Sequence, residues 1–233
     1  MAKGAAQGAA QGADAAKAVA QPDAGQHQPN PEQQKAAQDW APLEEKCMSA
    51  IKDAIKDAIG DATKDATKDA IRDAIKDAIG AQGVQEAVDS CKQTLDMSMK
   101  AGDLTSSTQL ARTGSYQLYG HALLLADKKQ AALAQEYMAV DEAHKCLTDK
   151  DQEYAMPYFW RGVVEANLGQ NDAALADYTV AEATHRKAIA NMPAMKPRYG
   201  PTLAAILKEH AALLDKMGRA DEAAKLRAEA AGL

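Results

Sequence analysis

Large aromatic residues are scarce in this chain. Of its 233 residues one is Phe and two are Trp, although 46% are apolar, and much of that apolar fraction is alanine. A chain of this length with that fraction is able to bury a real core. Because its side chains are small, the composition favours close contact between helices over a thick aromatic core.

The chain also lacks a net positive charge and long apolar runs. The formal charge is −6, and we expect no nucleic-acid partner because phosphate binding needs a positive surface. No run of about 18 apolar residues occurs, so we expect no membrane span. The sequence starts Met-Ala-Lys-Gly-Ala-Ala-Gln, without the apolar core of a signal peptide. Either the protein stays in the cytosol, or the sequence begins after a removed leader.

Cysteine is sparse, and its spacing is not that of a metal site. The three residues Cys47, Cys91 and Cys146 form no CxxC pair and allow at most one internal disulfide. His144 lies two residues before Cys146, but no second pair of ligands accompanies them. We therefore predict no metal site.

Motifs for catalysis are absent as well. The sequence has no GxSxG elbow, no HExxH helix and no glycine-rich phosphate loop. We expect a protein that is not an enzyme and that needs no cofactor.

The N-terminal region changes composition twice. Residues 1–38 are rich in Ala, Gln and Gly and contain three prolines, which predicts a disordered tail. Residues 39–102 form a second region that we expect to be helical, and 103–233 form a third. Within the second region, residues 51–80 (the four-residue repeat segment) repeat Ile/Thr–Lys/Arg–Asp–Ala, with Gly60 and Gly80 in place of Lys.

The four-residue repeat segment favours helix but not a fixed apolar face. Four residues turn a helix by about 400°, so the Ile/Thr stripe moves around the helix by roughly 40° per repeat. We predict bends near Gly60 and Gly80, with local packing through the isoleucines at 51, 55, 59, 71, 75 and 79 and a more exposed stretch around Thr63 and Thr67. The segment is either a helix lengthened by tandem expansion, a helix that pairs between chains, or a stress-protective or membrane-surface helix.

Small residues recur at matching distances in the last part of the chain. Gly120, Gly162 and Ala211 each lie 12 residues before one alanine and 19 before another, and the turn residue between them is Asp or Gly. This spacing suits two antiparallel helices whose backbones approach closely at the small residues. The pattern around Tyr158-Phe-Trp-Arg-Gly162, with Gly169, Ala174, Tyr178 and Ala181, resembles the tetratricopeptide repeat (TPR).

The resemblance covers residues 105–233 and implies a fold and a function. It implies an all-α solenoid of about three helix pairs, wound into a right-handed superhelix, that binds a protein or peptide in its concave groove. Transferred by position, the groove residues would be Gln117, His121, Leu124, Phe159, Val163, Asn167, Lys208 and Ala212. We expect Trp160 to pack between helices. Phe159 suits either the groove or the core.

The region from Cys91 through the first repeat also resembles exported bacterial proteins in which a Cys-containing helix precedes TPRs. That resemblance implies a disulfide between Cys47 and Cys91 and slightly favours a periplasmic location over the cytosol. Three reduced, buried thiols are the alternative.

The sequence thus favours a protein-binding scaffold or adaptor. Self-assembly into a homo-oligomer through the four-residue repeat segment is the second hypothesis. A stress-protective or membrane-surface helix anchored by the repeats is the third.

Overall fold

The computed structural model describes residues 30–61, 68–102, 106–147 and 154–233. These residues form eight α-helices and one short 3-10 turn, Pro193–Met195. In chain order the helices are α1 Pro31–Asp61, α2 Lys68–Ala101, α3 Ser106–Leu125, α4 Lys129–Cys146, α5 Ala155–Asn167, α6 Asn171–Asn191, α7 Lys196–Lys216 and α8 Ala220–Ala231. The predicted all-α fold is confirmed.

The helices pair in sequence into four hairpins. The most extensive contacts join α1 to α2, α3 to α4, α5 to α6 and α7 to α8. Each hairpin also packs on the next, through α2 with α3, α4 with α5 and α6 with α7. One hairpin alone leaves an apolar face open, and stacking covers it, so the result is a solenoid.

The first helix starts inside the region predicted as a disordered tail. Residues 31–38 are helical, which corrects that part of the prediction. Pro31 suits the first helical position, where its missing N–H costs nothing, and Glu32 follows in the first turn. Ala36 and Trp40, four residues apart on one face, are both buried. The rest of the predicted tail, residues 1–29, lies outside the described residues.

The predicted break at Gly80 is present within α2. Gly80 has φ 63° and ψ 175°, a backbone conformation that is open to glycine and strained for other residues. Helix α1 continues through Gly60 and ends one residue later, at Asp61. Of the isoleucines expected to pack, Ile51 is buried. The predictions for the other five isoleucines and for residues 63–67 concern side chains outside those that the structure describes.

The first hairpin belongs to the same array as the later ones. Cys47 and Cys91 are joined by a disulfide, with 4.8 Å between their Cα atoms, and neither residue is exposed. Around them lies a core shared by three hairpins, formed by Ile51, Ala87, Val88, Ala122, Leu123, Ala132, Leu133 and Val164. The predicted division between 102 and 103 therefore separates two hairpins of one solenoid.

Helices approach closely at the small residues that recur in the sequence. Gly120, Gly162 and Ala211 are all buried. A Cβ at Gly162 would lie 3.0 Å from Tyr178 Cε1 and 3.3 Å from the carbonyl oxygen of Ala174. A Cβ at Gly120 would lie 3.5 Å from the carbonyl oxygen of Ala132. The backbone of the paired helix thus passes directly over each glycine.

The turn inside each of the last three hairpins has one geometry. Its central residue, Asp127, Gly169 or Gly218, has positive φ. The next residue donates its N–H to a carbonyl five residues back, as in Gln170 to Glu165 at 2.9 Å. This arrangement closes the first helix and reverses the chain.

The substitution Gly162→Ala should lower the free energy of unfolding by about 1–3 kcal/mol, because the added methyl group meets the Tyr178 ring and the α6 backbone. Urea unfolding followed by circular dichroism measures the change. Gly114→Ala is the matched control, since a Cβ at this helical glycine meets nothing within 4 Å. It should raise stability by about 0.5–1 kcal/mol. Changes of the same sign in both variants would contradict the close approach.

The substitution Asp127→Gly should stabilise the protein by about 0.5 kcal/mol, because Asp127 has φ 59° and glycine adopts that conformation without strain. Gly218→Ala, at the equivalent turn with φ 77°, should destabilise by about 1 kcal/mol. Thermal unfolding of the two variants beside the parent chain tests the pair. A lower melting temperature for Asp127→Gly would show that the Asp side chain contributes more than the strain costs.

Candidate protein-binding face

The first helices of successive hairpins line one side of the solenoid. Helix α1 contacts α3, α3 contacts α5, and α5 contacts α7. We call the surface formed by these four helices the inner face. All the predicted groove residues lie on α3, α5 or α7.

The structure divides the predicted groove residues into three groups. Lys208 on α7 is exposed. Phe159 and Val163 on α5 are buried, at 6% and 8% exposure. The remaining residues are half-buried on the inner helices, and they are Gln117, His121, Leu124, Asn167 and Ala212.

Phe159 lies in the core, one of the two positions that its sequence context allows, and Val163 is buried there too, which corrects the groove position expected for Val163. The Phe159 ring centroid lies 4.9 Å from that of Trp160 and 6.1 Å from that of Tyr178. Their cluster also contains Ile206 and Leu213 of α7, and so it crosses from one hairpin to the next. The next inner helix covers these side chains, a contact that spacing within one repeat does not predict.

Trp160 packs between helices, as the sequence analysis expects. Its ring lies 4.0 Å from the imidazole of His121, at a tilt of 58°. Burial lowers the pKa of His121 to about 4, so its imidazole is neutral near pH 7. The half-buried histidine therefore offers a neutral ring to the inner face.

A partly buried charged cluster, which the sequence pattern does not predict, joins α4, α5 and α6. Arg161 donates from Nε to Asp177 Oδ2 at 2.6 Å and from Nη2 to Asp177 Oδ1 at 2.8 Å. The guanidinium carbon lies 4.7 Å from the Tyr137 ring centroid and 5.2 Å from that of Tyr158. Two-point hydrogen bonding and stacking on aromatic faces both favour Arg over Lys here. Arg161 and Asp177 are 16 residues apart on neighbouring helices, and a separation of this kind does not by itself predict that two charged residues pair.

Glu165 belongs to the same cluster, and the pKa of its carboxyl is raised. Its side chain accepts from the Tyr137 hydroxyl at 3.3 Å, and the residue is 2% exposed. Burial, with the negative charge of Asp177 as the second cause, raises the pKa of Glu165 to about 7. Arg161 opposes that shift but is already paired with Asp177.

Solved structures show which fold this architecture represents. The TPR-like repeats of a Podosopora anserina protein named for kinesin light chain are 18% identical. That match covers 86% of this chain and 92% of theirs, with a TM-score of 0.50. This chain has a TPR-like fold.

Two further solved structures are similar over most of the chain. MamA is 18% identical over 70% of this chain and 86% of its own, with a TM-score of 0.41. BtubC (BKLC) from P. vanneervenii is 13% identical over 81% of this chain and 89% of its own, with a TM-score of 0.39. Neither a protein-family model nor a curated protein sequence matches this chain.

Ion pairs also join the other TPR-like hairpins. Arg112 of α3 pairs with Glu142 of α4, and both side chains are buried. Glu182 of α6 accepts from Arg186 Nη1 at 2.8 Å and contacts His210 of α7. The Arg112–Glu142 and Glu182–His210 contacts each join two neighbouring helices.

The described residues contain no group of three or more His, Cys, Asp or Glu placed to hold a metal ion. His144, the residue near Cys146, instead has its Nε2 2.7 Å from the Tyr158 hydroxyl. Among the helices described, none is both long and apolar enough to cross a membrane.

The substitution Glu165→Gln should stabilise the protein more at pH 8 than at pH 5. The pKa of Glu165 is raised in the folded state, from an ordinary 4.5 to about 7. Folding therefore favours the protonated acid, and stability is lost as pH rises from about 4.5 through 7. Glutamine removes that loss, which amounts to at most about 3 kcal/mol. Urea unfolding at both pH values measures it, and an equal gain at the two values would refute the assignment.

Proposed function

We propose that this protein is a scaffold or adaptor that binds a segment of a partner protein along its inner face. The observation that carries the proposal is the TPR-like array itself, whose first helices contact one another and form a continuous surface. A segment lying on that surface would contact several hairpins at once. Such extended surfaces are what solenoid proteins use for recognition.

The side chains that remain accessible on the inner face support a segment with both polar and apolar groups. Leu124 and Ala212 supply apolar surface, whereas Gln117, Asn167 and Lys208 supply polar groups. With Phe159 and Val163 in the core, the face offers no large exposed aromatic anchor among these positions. We therefore propose binding that is distributed over the face and of modest affinity for a single segment.

The ordered interior supports a binding role in a second way. The charged pairs Arg161–Asp177 and Arg112–Glu142 fix one helix against the next within the solenoid. A surface held in place before binding spends little free energy on ordering when its partner arrives.

Photo-crosslinking tests the face directly. A photoreactive phenylalanine analogue at Lys208, exposed on inner helix α7, should crosslink one partner segment in extracts of the source cell. The same analogue at Thr179, exposed on outer helix α6, is the matched control and should recover that segment at least tenfold less. Mass spectrometry of the crosslinked peptides identifies the segment.

Equal recovery from positions 179 and 208 would count against the inner face. Sedimentation of the full chain and of a chain lacking residues 51–80 addresses the self-assembly alternative. An oligomer that requires those residues would favour self-assembly over the adaptor.

A further inference from the structure

Four buried polar atoms between α3 and α4 have no hydrogen-bond partner among the residues that the structure describes. They are Gln117 Nε2, His121 Nε2 and both carboxyl oxygens of Glu136. His121 Nε2 lies 3.9 Å from Glu136 Oε1, too far for a hydrogen bond. Glu136 has no exposed surface, whereas Gln117 and His121 are half-buried on the inner face. Native proteins rarely bury polar atoms unpaired, so this cluster calls for an explanation.

Packing does not require a carboxyl at this position. Glu136 follows Gly120 by 16 residues, and Tyr178 follows Gly162 by the same distance. Each side chain fills the space over its glycine, where an added Cβ would collide with it. The second of these hairpins fills the space with an aromatic ring, so the same geometry is satisfied without an acid.

Within the described part of the chain, no Lys or Arg side chain forms an ion pair with the buried acid. Arg161 is the charged group that acts on Glu136, but its guanidinium donates to both carboxylate oxygens of Asp177. Burial is the largest influence and raises the pKa of Glu136 well above its ordinary value. The neutral imidazole of His121 supplies no positive charge. A cation from outside the chain would complement the Glu136 carboxylate once that group is ionised.

The geometry points to Glu136, with Gln117 and His121 at its entrance, as a subsite that receives a lysine or arginine side chain of the partner segment. This inference rests on the proposed function. When the cation enters, the Glu136 carboxyl releases its proton to solvent, and the carboxylate pairs with the cation. His121, which is half-buried and packs against Trp160, has to turn aside to admit the cation. The net charge of −6 on the chain also favours a basic segment.

Nuclear magnetic resonance with a minimal probe tests the subsite on the full, oxidised chain. The probe is n-butylammonium, which has the side chain of lysine, and 1-butanol is its neutral counterpart. The chain has two tryptophans, Trp160 against His121 and Trp40 buried in α1, so the Trp40 indole signal is an internal reference. Butylammonium should shift the Trp160 indole signal saturably, with a dissociation constant of roughly millimolar order, and 1-butanol should not.

Two isosteric variants separate the acid from its surroundings. Glu136→Gln should abolish the response to butylammonium. Glu165→Gln, which alters the other buried acid near Arg161, should keep it. In a chain labelled with ¹³C at the glutamate carboxyls, the Glu136 signal should titrate at lower pH when butylammonium is present.

Three outcomes would overturn the subsite. They are equal shifts by both probes, no shift by either, and a response that survives Glu136→Gln. A crosslinked partner segment that contains no Lys or Arg near the inner face would overturn it too, yet would leave the adaptor function standing. If the analogue at position 208 recovers no more partner segment than the analogue at position 179, but butylammonium still gives the expected response, the adaptor function alone is contradicted.

Discussion

The close approach of paired helices at Gly120, Gly162 and Ala211 is the constraint on which this structure depends. At Gly162 the opposite helix is near enough that a single added carbon would lie 3.3 Å from a backbone oxygen of Ala174. Small residues on both sides allow this distance, which explains why the core uses alanine where other proteins use larger apolar groups. Because the two helices of each hairpin lie this close, one hairpin is able to stack on the next, and the first helices of the hairpins then line the inner face.

Because the paired helices lie so close, the side chain that packs over each small residue decides the chemistry of that contact. Tyr178 and Glu136 occupy equivalent places in consecutive hairpins, but Tyr178 contributes a ring to the core, whereas the Glu136 carboxyl has no hydrogen-bond partner among the described residues. Buried polar groups without partners cost stability. The second hairpin is therefore chemically distinct at this position, which adjoins the half-buried His121 on the inner face.

What the sequence predicts well is local, and what it misses is contact between hairpins. The spacing of 7, 12 and 19 residues from each small residue fixes the turns at Asp127, Gly169 and Gly218 and the helices around them. The burial of Phe159 depends on where α7 lies, and the pairing of Arg161 with Asp177 depends on how α5 and α6 are rotated. The prediction of a disordered tail was wrong for residues 31–38 because it rests on the average composition of residues 1–38. That average does not take into account that Ala36 and Trp40 lie on one face of a helix.

The disulfide stabilises a hairpin in which the four-residue repeat limits apolar packing. Its apolar stripe moves around the helix by roughly 40° per repeat, so a neighbouring helix is able to follow it for only a few turns. Cys47, and Ile51 at the start of that segment, are buried in the core shared with the second and third hairpins. A crosslink between Cys47 and Cys91, 44 residues apart, stabilises the hairpin by roughly 4 kcal/mol in the loop-entropy model. It therefore holds α1 and α2 together at the base of the first hairpin, where both cysteines lie in the core shared with the next hairpins.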